Sequence, residues 1–287
     1  MLKKLKHTIR HFLVGGTRYI DIRGFWIRNE MEKIQLLPKY SNPLNLIPYG
    51  KKMYSQNDED GIIIEIFNRI GSTNKIFIEL GCGNGIENNT YSLLFQNWKG
   101  LWIDGNKRKI KSIIKQLPKT ISTNQLQVLC SFITKENINE LITSKIQEEE
   151  IDLLSIDLDG NDAYIFESIT CINPRVVIIE YNARFIPPVK YCVKYQAFFQ
   201  WDWSDNGGAS LKYLEILFKQ KGYKLVGCNI AGVNAFFVRN DLVENKFESP
   251  FTAENHFEPS RPRIAGIRSG HPASFQTLEN RKKLIDE

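Results

Sequence analysis

Histidine, cysteine and long apolar runs are scarce in this chain, and each scarcity closes off a class of protein. The 287 residues hold four histidines, His7, His11, His256 and His271, all outside residues 53–241. His256 and His271 could serve a central site only if the tail folds back over it, and are otherwise read as surface residues. The five cysteines (82, 130, 171, 192 and 228) are odd in number, widely spaced and form no C-x-x-C pair. They suit neither a disulfide framework nor a zinc site. They favour a reducing, cytoplasmic compartment in which cysteine is a small core residue. No stretch approaches the roughly 20 apolar residues needed to cross a bilayer. The N-terminus is basic but has neither a sustained apolar region nor a small-residue cleavage site, so no signal peptide is expected. Repeats and low-complexity tracts are also lacking. One domain with appendages is the simplest expectation at this length.

Charge is unevenly placed. Residues 1–52 hold eleven Lys/Arg against Asp21, Glu30 and Glu32, a surplus of +8 in a chain whose formal charge is +6, so the remainder nets −2. Residues 1–14 intersperse Leu2, Leu5, Ile9, Phe12 and Leu13 with Lys3, Lys4, Lys6 and Arg10. That pattern suits a short basic amphipathic helix, lying on an anionic membrane surface or packed on its own domain or a partner chain. The slight negative balance of the body argues against tracking a nucleic-acid backbone.

Three regions follow: a basic N-terminal helix with a Pro-punctuated approach (1–52), a central domain (53–241) and a tail (242–287). Within the central domain, acids at 58–60 open a buried helix over Gly61–Phe67. Apolar strands are expected at 75–80, 101–104, 127–130, 151–160 and 175–182, with helices between them. After the glycine turn, Asn88-Asn89-Thr90 should cap a helix running to about Asn97. A Lys-rich helix is expected near 106–116, and Thr134 should cap another running to about Ile146. Strands alternating with helices give a doubly wound, mostly parallel α/β sheet. Residues 183–208 break the rhythm with Pro187-Pro188 and aromatics at Tyr191, Tyr195, Phe198, Phe199, Trp201 and Trp203, as a lid or substrate wall would. A helix near 209–221 precedes two close strands, 223–228 and 234–239, which should form an antiparallel hairpin at the sheet edge. A further helix is expected near 276–284.

The most informative segment is Lys75-Ile76-Phe77-Ile78-Glu79-Leu80-Gly81-Cys82-Gly83-Asn84-Gly85. A buried strand ends in a glycine turn that lets bare backbone approach a ligand, and Asp104 closes the next strand. That is how an open α/β sheet holds a nucleoside. A dinucleotide fold wants G-x-G-x-x-G, but Ile86 stands where its third glycine should be, which disfavours a nicotinamide oxidoreductase. The Glu-Leu-Gly-x-Gly-x-Gly pattern instead resembles motif I of class I S-adenosylmethionine (SAM)-dependent methyltransferases. Further blocks join it: the Ser55–Gly61 lead-in, Asn89-Thr90, Trp98-x-Gly100, Ile156-Asp157-Leu158-Asp159-Gly160 and Asn234–Arg239. Together, over about residues 53–241, they resemble the FkbM-like family. That family has Asp-x-Glu-Gly where this chain has Asp157-Leu158-Asp159-Gly160, which keeps the acid but shortens its reach. The resemblance implies a Rossmann-like fold, SAM as donor, and O-methylation of a sugar, glycan or small metabolite.

Under that resemblance Gly81, Gly83 and Gly85 approach the methionine moiety and ribose, and Asp104 accepts the ribose hydroxyls. Glu79 lies near the donor amino group or caps the following turn. Ser131 follows the strand beside which adenine sits. Gln56 and Glu59 close the pocket or cap the helix. Asp157 counts among the donor-side residues.

Asp157 and Asp159, two apart on a strand, should share a face, as should Glu180 and Asn182 on the next. Two mechanisms stay open. Asp159 or Glu180, aided by Asn182, acts as general base with a pKa raised by crowding. Alternatively Asp157, Glu180 and Asn182 hold Mg2+, which lowers the acceptor pKa. An amino-group nucleic-acid methyltransferase would carry Asn/Asp-Pro-Pro-aromatic at Asp157–Gly160. A non-catalytic binding or scaffold module is the rival from another class, and a homo-oligomer is compatible with the sequence.

Overall fold

A computed structural model describes residues 24–262, 264 and 273–281. The expected basic helix at 1–14 and His271 lie outside the described residues. Residues 24–35 are helical (α1). The sheet is built from β1 (Ile76–Leu80), β2 (Lys99–Asp104), β3 (Leu126–Cys130), β4 (Glu150–Ile156), β5 (Asn173–Glu180), β6 (Tyr223–Cys228) and β7 (Asn234–Arg239). Its seven strands run in the order β3-β2-β1-β4-β5-β7-β6. The first five are parallel, while β7 is antiparallel to both β5 and β6. The hairpin therefore folds back so that its second strand joins the sheet and β6 becomes the edge.

The central runs become strands because both sides of each are apolar and both faces of the sheet are covered, whereas the edge strand β3 is only partly buried. On one face Ile78, Leu80, Ile103 and Ile179 pack with Ile138, Ile165 and Leu214. Those three come from α5 (Ile138–Thr143), α6 (Asp162–Ser168) and α7 (Leu211–Gln220). On the other face Phe77, Trp102 and Phe236 pack with Ile62, Ile110 and Phe275. These belong to α2 (Glu59–Ile70), α3 (Lys107–Gln116) and α10 (Phe275–Glu279); α4 (Pro118–Ser122), α8 (Asn240–Val243) and α9 (Ala253–His256) are short helices. Arg175 and Asp152 pin the N-terminal ends of β5 and β4 through a buried 2.6 Å ion pair. Asp152 also accepts the backbone N–H groups of Thr73, Asn74 and Lys75. Among the described residues no helix is long and apolar enough to cross a membrane.

Several local expectations shift. The helix expected after the glycine turn is a 3-10 helix, Tyr91–Gln96, closed by Asn97 at φ +62°. The strand expected over 151–160 ends at Ile156, and Asp159 lies at φ +58°. Aspartate tolerates the left-handed region better than most residues, so the chain turns there instead of continuing the pleat. His256 is buried, contrary to a surface reading, because α9 docks against α7 and β6.

Candidate functional site

The carboxyl ends of β1, β2 and β4 meet at one edge. Parallel pairing puts Leu80 beside both Ile103 and Ile156, so the glycine turn, Asp104 and the Asp157–Gly160 turn emerge side by side. Gly81 N–H bonds the Ile103 carbonyl (2.9 Å), and Asp157 N–H bonds the Leu80 carbonyl (3.0 Å). Asp104 then organises the turn itself, accepting Gly83 N–H at 2.8 Å on one oxygen and Asn106 N–H at 2.6 Å on the other.

These segments floor a cleft of about 630 Å³, lined by Gly81, Gly83, Asp104, Lys109 and Phe132 and roofed by Trp201 and Trp203. Gly83, at φ +53°, has nothing nearer its absent Cβ than the Lys109 Nζ at 3.8 Å, so it offers bare backbone to the cleft. Gly85 does not line the cleft. A Cβ there would stand 2.8 Å from Trp102 and 3.0 Å from Phe275, so its smallness serves core packing.

Glu79 is buried and turned to the backbone that follows. It accepts Asn89 N–H (2.9 Å), Thr90 N–H (3.3 Å) and the Thr90 hydroxyl. Burial pushes its carboxyl up to about 7 against the opposing pull of those hydrogen bonds. Gln56 is exposed and absent from the cleft walls; its backbone carbonyl accepts from Lys52 Nζ (2.6 Å). Glu59 ties the lead-in to the hairpin by accepting from Asn57, Asn229 and Asn234. Ser131 is used locally, its N–H on the Asp104 carbonyl (3.1 Å), and the neighbouring Phe132 and Ile133 form the wall instead.

A second cavity of about 380 Å³ adjoins the first, lined by Asp162, Glu180, Asn182 and Arg184 among others. Asp159 and Trp201 line both cavities. The aromatic insertion supplies the shared wall. Phe199 fills the space a side chain at Gly160 would need, and Asn161 Nδ2 donates to the Gln196 carbonyl at 2.7 Å.

Carboxyl oxygens of Asp157, Asp159 and Glu180 lie within 4.8 Å of one another at the junction. The turn, not strand alternation, brings Asp157 and Asp159 together. Burial, then the charges of Asp162 and Asp159, pushes Asp157 up to about 8. Burial, then the Asp157 charge, raises Glu180 well above the usual carboxylate range. Burial raises Asp159 too, with Lys109 opposing. Asp157 keeps open surface toward the cleft, yet depth governs its titration, because a narrow cleft solvates a carboxylate less well than bulk water.

Asn182 stands apart from this trio in its bonding. Its amide donates to the Asp205 and Gly207 carbonyls, both at 2.9 Å, and its oxygen accepts Arg184 N–H. It staples the insertion, so the third carboxylate beside Asp157 and Glu180 is Asp159. Two contributors escaped sequence reasoning. Asp162 fixes the acid turn by accepting Leu158 and Gly160 N–H (2.9 and 3.0 Å). Lys109 faces the cleft from the first turn of the Lys-rich helix, and its spacing from Asp104 was the available signal. His256 lines neither cavity.

The class this edge defines is an open α/β protein with a ligand cleft at the carboxyl ends of its parallel strands. Solved structures of similar outline include the following three. One is a putative caffeoyl-CoA O-methyltransferase from Staphylococcus aureus, at 17% identity and TM-score 0.43 over 62% of this chain and 81% of that one. Another is the N-terminal domain of EvdMO1 with SAH bound, at 13% identity and TM-score 0.43 over 72% and 94%. The third is a magnesium protoporphyrin IX methyltransferase from Synechocystis with bound SAM, at 10% identity and TM-score 0.40 over 63% and 77%. No protein-family model matches the chain, and no curated protein sequence is significantly similar to it.

Proposed function

We propose that this protein is a SAM-dependent methyltransferase of FkbM-like type that methylates a hydroxyl oxygen of a sugar, glycan or small metabolite. One observation carries the reading: two cavities meet at Asp159, one built on a glycine turn with an acid at the next strand tip, the other on carboxylates with raised pKa values. Methyl transfer needs that layout, with donor and acceptor entering from opposite sides of one point.

In the larger cleft Gly83 backbone meets the donor, Asp104 accepts ribose hydroxyls, and Phe132 gives adenine a flat apolar wall. SAM supplies an electrophilic methyl on a sulfonium. The smaller cavity lies within the range of small-molecule sites, about 300–1,000 Å³, with Trp201 as a face for a sugar ring. Asp159 or Glu180 takes the acceptor hydroxyl proton, the raised pKa of each making it a better base near neutral pH. A second reading rests on the close approach of Asp157, Asp159 and Glu180. Three hard oxygen donors suit a divalent cation such as Mg2+, which would lower the acceptor pKa. Five unbridged cysteines suit a reducing compartment such as the cytoplasm.

The test is calorimetric titration of SAM into the purified protein, with and without magnesium, beside an Asp104→Ala control. Micromolar binding that the control loses supports the donor site, and a magnesium-dependent change favours the cation reading. Absence of binding by the wild type under both conditions leaves a non-catalytic scaffold as the function.

A further inference from the structure

The run 105–135 carries seven basic residues, Lys107, Arg108, Lys109, Lys111, Lys115, Lys119 and Lys135, and no acid, within residues 53–287 that net −2. On α3, Ile110 and Ile113 face the core, and Lys107, Arg108, Lys109, Lys111 and Lys115 are exposed. Among the described residues, Lys107, Arg108, Lys111 and Lys115 enter no ion pair. Three of the cations occupy the first turn of α3, where the helix dipole disfavours positive charge. Only Lys115, in the last turn, is favoured by the dipole; the three first-turn cations bring the helix no such benefit.

Exposed apolar side chains stand beside it. Ile114, on α3 among the lysines, is 46% exposed, Phe198 75% and Trp203 84%. Phe132 leans on Gly105, two residues before α3, and its ring centre is 5.4 Å from that of Phe198. Phe132, Trp203 and Lys109 line the same cleft, so at its mouth the basic helix meets exposed aromatic side chains.

We propose that this face docks on an anionic membrane surface, with the α3 lysines against lipid phosphates and Ile114, Phe198 and Trp203 at the acyl boundary. Cations beside exposed tryptophan and aliphatic groups are the chemistry of an interfacial site. A nucleic acid would use the charge but gain little from Ile114, which can neither stack on a base nor bond a phosphate. The inference does not depend on donor binding.

The full chain is tested by sedimentation with phosphatidylcholine vesicles, with and without about one third phosphatidylglycerol. Binding is expected for the anionic vesicles only, weakening as salt shortens the screening length. Combined Lys107→Gln, Arg108→Gln, Lys111→Gln and Lys115→Gln substitution is expected to lower partitioning at least about tenfold. Ile114→Ser with Phe198→Ser should lower it while leaving the salt dependence in place. All these positions are exposed, so melting temperatures should hold and report intact folding. Equal partitioning of the four-Gln variant and wild type overturns the proposal, as does equal binding to neutral vesicles. A single-stranded oligonucleotide is the parallel probe. If it binds wild type but not the four-Gln variant, and vesicles do not bind, the face belongs to nucleic acid and the membrane assignment falls.

Discussion

Gly81 presses so closely on the Asp157 backbone that a Cβ at position 81 would lie 1.7 Å from the Asp157 carbonyl oxygen. The glycine turn after β1 and the acid turn after β4 are thereby locked together. This contact sets the position of the acids relative to the cleft floor, so one residue serves both packing and site geometry.

Alanine substitutions at two glycines should therefore diverge. Gly81→Ala meets backbone that cannot swing aside and is expected to cost at least about 3 kcal/mol of stability. Gly83→Ala carries only the left-handed backbone penalty, about 1–2 kcal/mol, and projects a methyl into the cleft. Melting temperature should fall mainly for Gly81→Ala, whereas Gly83→Ala should fold and weaken donor binding by calorimetry. Equal melting losses would contradict the packing argument.

Asp104→Asn keeps the shape of the side chain but removes the charge that strengthens its hydrogen bonds to Gly83 and Asn106. Charge-assisted hydrogen bonds are worth about 1.5–3 kcal/mol, so SAM affinity should drop roughly ten- to a hundredfold. Unchanged affinity would remove Asp104 from the donor site.

The raised pKa of Asp157 has a defined sign in stability. The folded protein keeps this proton up to about 8, while the unfolded chain releases it near the ordinary value of about 4. Between those values the folded state binds more protons, so this group's contribution to stability falls as pH rises. Asp157→Asn cannot ionise and also relieves Glu180. Its melting temperature should gain on wild type as pH goes from about 5 to about 8, with the difference closing at the acid end. Thermal melts across pH would refute this if the difference stayed constant.

Phe275 reaches from the C-terminal segment to the back of the glycine turn. It is 2% exposed and meets the Tyr91 ring edge-on with centres 5.5 Å apart. Phe275→Ala should cost about 3–5 kcal/mol through the cavity it leaves and loosen the turn, raising the SAM dissociation constant several-fold. Phe275→Leu should recover most of both effects. Loss of stability with full donor affinity would separate the segment from the turn.

Arg175 is the partner of Asp152 at the far end of the sheet, with side chains 5% and 0% exposed. Arg175→Ala leaves that buried carboxylate without its counter-charge, held by the N–H groups of Thr73, Asn74 and Lys75, an expected loss of about 3–5 kcal/mol by chemical denaturation. Donor affinity of the molecules that remain folded should be unchanged.

The alternation of strands and helices was legible in the sequence because nearly continuous apolar runs such as Val176–Ile179 can be buried only if helices cover both faces. The register of acids at strand tips was legible for the same reason: Asp104 and Glu180 end runs whose burial stops at the sheet edge. The tertiary structure alone decided how these polar residues are used. Asn182 looked like a site ligand, yet its amide holds Asp205 and Gly207, more than twenty residues onward. Gly85 looked like part of the cleft, yet it faces Trp102 and Phe275. Asp159 reaches Asp157 and Glu180 because the chain turns at positive φ, a conformation strand periodicity does not encode. Periodicity reports which side of an element is buried. The partner found there comes from segments far away in sequence, and packing among them settles which polar groups are left free to act.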